Sequence, residues 1–198
     1  MRQLLYMSVS QIQFILLGAS RCGKTSLVSR WTDPSKMPLA KETVGIDVFS
    51  CATNDSGVVY STKFWDTAGR ECYSSLLKSY IFNADCAIVV YDVSSPTSWT
   101  SVDRWLTMVE ETNGARFPVV LVGNQIDKHS SRVVYKQEVM GYINSHSMSR
   151  IVYCECSAMT GDGTMDAYHL AVNYAKKGSS ETVYTAKSFR KESGCLIV

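Results

Sequence analysis

The segment Gly18-Ala19-Ser20-Arg21-Cys22-Gly23-Lys24-Thr25 follows a short apolar run, Ile12 to Leu17, and opens a stretch with helical character, Lys24 to Trp31. Glycines at these positions let the backbone wrap so that successive N–H groups converge on a polyphosphate. The helix that follows directs its positive end at the same anion. Lys24 has the reach for β- and γ-phosphates, and the Thr25 hydroxyl is a hard oxygen ligand suited to Mg²⁺. The nucleotide contacts expected here are Ser20, Arg21, Cys22, Gly23, Lys24, Thr25 and Ser26. Such a loop specifies a nucleoside triphosphate but not the base, because ATPases and nucleotide kinases share it.

Three further motifs bear on the base and the metal. Asp66-Thr67-Ala68-Gly69 follows a predicted strand, so Asp66 can hold Mg²⁺ through water and the Gly69 N–H can meet a γ-phosphate. Asn124-Gln125-Ile126-Asp127 follows the run FPVVLVG. Its aspartate can accept from the N1–H and exocyclic amine of guanine, a donor pair that adenine lacks. Ser157-Ala158 follows another strand, where a backbone N–H can face the guanine carbonyl. All four loops leave carboxyl ends of strands, where ligands bind in open α/β sheets.

The elements that must position these loops alternate in kind. Strands are expected at Ile12–Leu17, Ile46–Thr53, Val58–Trp65, Cys86–Val90, Phe117–Val122 and Ile151–Cys156, with Asn54-Asp55-Ser56-Gly57 as the turn of an antiparallel hairpin. Helices are expected at Lys24–Trp31, Ser74–Phe82, Thr97–Thr112, Tyr135–Ser147 and Thr164–Lys177. This order predicts a mostly parallel six-stranded sheet with one antiparallel edge strand and helices on both faces. Residues 1–177 form the expected domain. Residues 178–198, rich in Ser, Thr, Lys and Glu, read as a flexible tail with an end-to-end distance of roughly 25 Å.

Composition removes several classes. The 198 residues, 45% apolar, suffice for one core. A net charge of +2 argues against a nucleic-acid binder. Eleven Tyr, six Phe and four Trp argue against disorder. Seven cysteines without a C-x-x-C indicate neither a disulfide framework nor a zinc site, and fit free thiols in a reducing compartment. Cys154 and Cys156 sit in a predicted strand, and only one is expected to face the core. No apolar run is long enough for a membrane span, and no signal-peptide cleavage site is evident.

These motifs carry a resemblance to the small GTPases of the Ras superfamily, and most closely to the Rab family, over about residues 10 to 177. Trp65-Asp66-Thr67-Ala68-Gly69, Ala87-Ile88-Val89-Val90-Tyr91-Asp92-Val93, Ser98-Trp99, Trp105-Leu106 and Thr43-Val44-Gly45-Ile46-Asp47 are similar to that family. The resemblance implies a P-loop NTPase fold of three layers, α/β/α, and a GDP/GTP switch that recruits effectors in vesicle traffic. Thr43 would join Thr25 and Asp66 at Mg²⁺ and sense the γ-phosphate, with the loops around Thr43 and Gly69 ordering on GTP. An exchange factor, an activating protein and a prenyl-binding chaperone are implied partners, and a monomer is expected.

The sequence departs from the family at several places. Arg70 stands where a glutamine normally orients the attacking water, and a guanidinium only donates. With Arg70, Lys24 and Gly69 as catalytic candidates, slow hydrolysis is expected; the rival is Arg70 as an arginine finger within the chain. Around the base, Gln125 and Met159 replace lysines and Lys36 replaces an aromatic, while Asn124 and Asp127 remain. Guanine selectivity should survive with faster exchange. Of the family's exposed aromatic trio Trp65 remains, with Val48 and Ile81 at the other two positions, giving a candidate effector surface.

The chain ends in Cys195-Leu196-Ile197-Val198, a C-a-a-X prenylation pattern. One lipid chain gives reversible attachment, and the weakly basic tail adds little. The expected location is the cytoplasmic face of a membrane, in exchange with cytosol. Two other classes compete: a GTP-bound scaffold with negligible turnover, and a P-loop kinase of small metabolites, for which the chain has no residues to spare for a lid.

Overall fold

A computed structural model describes residues 10–33, 42–55, 58–69 and 74–176. Six strands, β1 (Ser10–Leu17), β2 (Ile46–Asp55), β3 (Val58–Thr67), β4 (Cys86–Asp92), β5 (Val119–Asn124) and β6 (Ile151–Glu155), form one sheet in the order β2-β3-β1-β4-β5-β6. Only β2 runs antiparallel, pairing with β3 at the edge. The helices are α1 (Lys24–Thr32), α2 (Ser74–Phe82), α3 (Pro96–Thr100), α4 (Val102–Asn113), α5 (Lys136–Ser145) and α6 (Thr164–Lys176), with a 3₁₀ turn at His129–Ser131.

The period of two along the central strands sorts their side chains into two cores. Phe14 and Leu16 of β1, Ile88 and Val90 of β4, and Val120 and Val122 of β5 pack with α1 and α6. Ile15, Leu17, Val89, Tyr91 and Leu121 pack with α2, α4 and α5. β4 and β5 are buried along their whole length, as strands covered on both faces must be. The expected three layers are therefore present.

Some boundaries differ from expectation, each for a local reason. β3 extends through Asp66 and Thr67, and β5 begins after Pro118 and runs through Asn124. The hairpin ladder continues to the pair Asp55–Val58, so the connection is two residues, not the expected four. The helix expected over Thr97–Thr112 is two helices. Ser95 caps the first by accepting from the Ser98 N–H, and the Ser101 hydroxyl donates to the Ser98 carbonyl where the two meet. Cys154 and Cys156 both pack against the α1/α6 side, because residues two apart on a strand share a face. The tail from residue 177 onward lies outside the described residues.

Candidate functional site

The carboxyl ends of β1, β3, β5 and β6 open onto a cleft of about 470 Å³. Its lining includes Ser20, Arg21, Gly23, Lys24, Thr25, Ser26, Thr43, Gly69, Asn124, Gln125, Asp127, Ala158 and Met159. Four segments far apart in sequence therefore meet as the motifs predict.

The floor is built largely from main chain. Lys24, only 5% exposed, donates to the carbonyls of Gly18 and Ala19 at 2.9 Å each. Those carbonyls orient the ammonium without neutralising it, which leaves a buried positive charge suited to an anion. Gly23 adopts φ +100°, and a Cβ there would lie 2.1 Å from Asn124 Nδ2. Gly69 approaches so closely that a Cβ would stand 2.2 Å from the Ser20 nitrogen. Only glycine admits either contact. Cys22 does not present its side chain to the cleft. Its thiol is buried in the core, and its carbonyl accepts from Asn124 Nδ2 at 2.9 Å.

Beside the floor three oxygen-bearing side chains converge. Thr25 Oγ1 donates to Asp66 Oδ2 at 2.5 Å and lies 2.7 Å from Thr43 Oγ1, which is itself 3.3 Å from the same carboxylate oxygen. Asp66 is fully buried, and its Oδ1 has no hydrogen-bond partner. Burial pushes its carboxyl above the ordinary range, opposed by the Thr25 hydroxyl, the Lys24 charge and the Thr43 hydroxyl. An orphaned buried carboxylate oxygen beside two hydroxyls suits a small divalent cation with hard oxygen ligands, so the residues present fit Mg²⁺. Asp66 belongs to β3 rather than to the loop after it, paired to Leu16 and Asp47 on its two sides, so its position is fixed by the sheet.

The base side is held differently. Asn124 acts as a brace: its Nδ2 reaches the phosphate loop and its Oδ1 accepts from the Ala158 N–H at 3.0 Å. Ser157 is buried, its hydroxyl donates to Asp127 Oδ1, and its own N–H donates to the Asp162 carbonyl at 2.8 Å. The Ser157 and Ala158 amides, expected to face a guanine carbonyl, hold the loop here through the Asp162 carbonyl and Asn124 Oδ1. Asp127, lining the cleft and aimed by Ser157, keeps its expected place. Gln125 Nε2 donates to the Arg21 carbonyl at 3.1 Å. Arg21 and Gln125 have φ of 64° and 69°, and left-handed backbone at non-glycine residues costs of order 1–3 kcal/mol each.

Sequence reasoning missed three contributors. Arg30 of α1 donates to the carbonyls of Ala158 at 3.0 Å and Met159 at 2.6 Å, fixing the base-side loop. Glu42 pairs with Arg21 at 2.9 Å, and Lys128 lines the cleft while bonded to Asp92 at 3.3 Å. No short motif announces Arg30, whose partners are 128 and 129 residues away.

On the outer face Val48 is 50% exposed and stands opposite Trp65 in the ladder. Trp65 packs on Tyr80, with ring centres 4.8 Å apart, and carries Lys63 Nζ over its ring at 4.0 Å. Ile81 is not on this surface. It is fully buried with the α4 side of the core, since the face α2 turns inward carries Leu77 and Ile81. Tyr80 takes the place expected of Ile81. Arg70, Lys36 and Cys195 lie outside the described residues.

The chain matches the Ras family model over residues 13–177. It is 32% identical over 180 residues to the Ras-related protein RABG3e of Arabidopsis thaliana, covering 87% of this chain and 86% of that protein. It is 34% identical over 161 residues to the Ras-related protein Rab-18 of Lymnaea stagnalis, covering 81% and 78%. A 31% match over 189 residues to the human EF-hand calcium-binding domain-containing protein 4B covers 92% of this chain and 25% of that longer protein. With the phosphate loop, the carboxylate–hydroxyl cluster and the base-side aspartate assembled in one cleft, the chain belongs to the Ras superfamily of small GTPases and is most similar to its Rab members.

Proposed function

We propose that the chain binds GTP and GDP with Mg²⁺ and works as a slowly hydrolysing, membrane-anchored switch in vesicle traffic. The observation that carries this reading is the fully buried Asp66, with one carboxylate oxygen unpartnered, beside Thr25, Thr43 and the buried Lys24 ammonium. Thr25, Thr43 and Asp66 would hold Mg²⁺, which supplies positive charge to the phosphate oxygens. Lys24 and the amides of the phosphate loop bind and orient the phosphates; Asp127 selects the base through its two acceptor oxygens. Thr43 and Gly69 report on the γ-phosphate, and effectors read the surface of Val48, Trp65 and Tyr80.

Arg70 supports slow turnover, because a guanidinium cannot accept a hydrogen bond from the attacking water. Gln125 and Met159 on the base side, and Lys36 at the sequence position where the family carries an aromatic, support faster exchange than in lysine-bearing relatives. Slow turnover with rapid release favours the GTP state wherever GTP exceeds GDP. A prenyl group on Cys195, at the end of a tail spanning residues 178–198 beyond the domain of residues 1–177, supplies reversible attachment. Among the described residues no helix is long and apolar enough to cross a membrane. The same Arg70 favours a second reading, a GTP-held scaffold with negligible turnover.

The deciding experiment extracts the nucleotide that co-purifies with the protein and follows single-turnover hydrolysis of wild type against Arg70→Gln. A guanine nucleotide with hydrolysis faster in Arg70→Gln is expected. An adenine nucleotide overturns the reading of the site, and a faster wild type overturns the role given to Arg70.

A further inference from the structure

Arg21 joins three loops of the cleft. Its backbone sits in the phosphate loop at φ 64°, its carbonyl accepts from Gln125, and its guanidinium Nε donates to Glu42 Oε1 at 2.9 Å. Glu42 directly precedes Thr43, whose hydroxyl is bonded into the cluster of Thr25 and Asp66. The ion pair thus crosses the rim of the cleft, from the phosphate loop to the segment that carries Thr43. The side chains of Arg21 and Glu42 are 82% and 39% exposed, so water can reach the pair and open it without disturbing the core.

We propose that the Arg21–Glu42 pair is a latch on nucleotide release: it keeps the Thr43 segment against the phosphate loop, and bound nucleotide leaves when the pair opens. The proposal rests on the reading of the cleft as a guanine-nucleotide site. Arg21 is in this sense a positioning residue that acts through Glu42. The sign of the effect separates the latch from simple electrostatics. Glu42 is an acid beside a site for polyphosphate, so removing its charge should slow release on Coulomb grounds alone. The latch requires the opposite, because the neutral side chain no longer holds Arg21.

The test is displacement of a fluorescent GDP analogue, with Mg²⁺, from the full chain and from Glu42→Gln, Arg21→Gln and the double variant. Each single variant should release about 2–5-fold faster than wild type, the range that exposed ion pairs span. The double variant should be no faster than the faster single, and about 0.5 M salt should narrow the gap to wild type. Release from Glu42→Gln at or below the wild-type rate overturns the latch, as do single effects that multiply in the double. A wild type that binds no GDP overturns the nucleotide reading together with the latch; binding with rates indifferent to Glu42 overturns the latch alone.

Discussion

The two halves of the cleft are built by different means. On the phosphate side the chemistry rests on main chain and strand ends: Lys24 is aimed by the carbonyls of Gly18 and Ala19, Asp66 is fixed within β3, and glycines admit the close approaches. On the base side the groups are side chains from segments remote in sequence. Asn124 braces two loops, Ser157 aims Asp127, and Arg30 reaches across from α1 to the carbonyls of Ala158 and Met159. A backbone cradle leaves little freedom in residue type, whereas a platform of side chains can be rebuilt from other residues. The departures from the Rab pattern at Gln125 and Met159 both fall on the second kind.

That contrast can be broken in order of expected effect. Lys24→Ala removes a buried ammonium that makes charge-assisted bonds. Affinity for GTP by calorimetry should fall by more than ~100-fold, corresponding to about 3 kcal/mol or more. A smaller loss would mean that the amides alone carry the phosphates. Asp66→Asn keeps the shape but removes the negative charge. Metal-dependent retention should weaken by about 10–100-fold, the range for groups that act on a metal through water. In wild type a chelator should speed release of nucleotide, and in Asp66→Asn the same treatment should change little; an equal response in both would remove Asp66 from the metal site. On the base side, Arg30→Gln loses two bonds to carbonyls and should speed release by about 5–30-fold, equivalent to about 1–2 kcal/mol. Hydrolysis of bound GTP should change far less than release, since the two bonds lost hold the base-side loop at Ala158 and Met159. Parallel losses in both would mean that the two halves are not separable.

Legibility in the sequence followed the same division. Gly18 to Thr25 names its own geometry, because eight consecutive residues make the loop and its helix entry. The six-stranded sheet and its lone antiparallel edge also followed from the spacing of apolar runs and the hairpin turn, whereas the order of the strands across the sheet is seen only in the structure. Ile81 was misplaced because the assignment rested on motif position, while a neighbouring residue on a helix points about 100° away. Tyr80 faces Trp65 and Ile81 faces the core. The bonds of the Ser157 and Ala158 amides to Asp162 and Asn124 are visible only in three dimensions.

By itself the sequence determined the kind of fold and the loop from Gly18 to Thr25, and it named Asp66 and Asp127 as acids beside the cleft, because each is written in contiguous residues whose local conformation follows from their chemistry. The tertiary structure decided which side chains brace that chemistry: Arg30 on the base loop, Arg21 against Glu42, and an unpartnered oxygen on Asp66. Such contacts join residues tens to more than a hundred positions apart. Their formation depends on how helices and strands pack, and no local pattern encodes that.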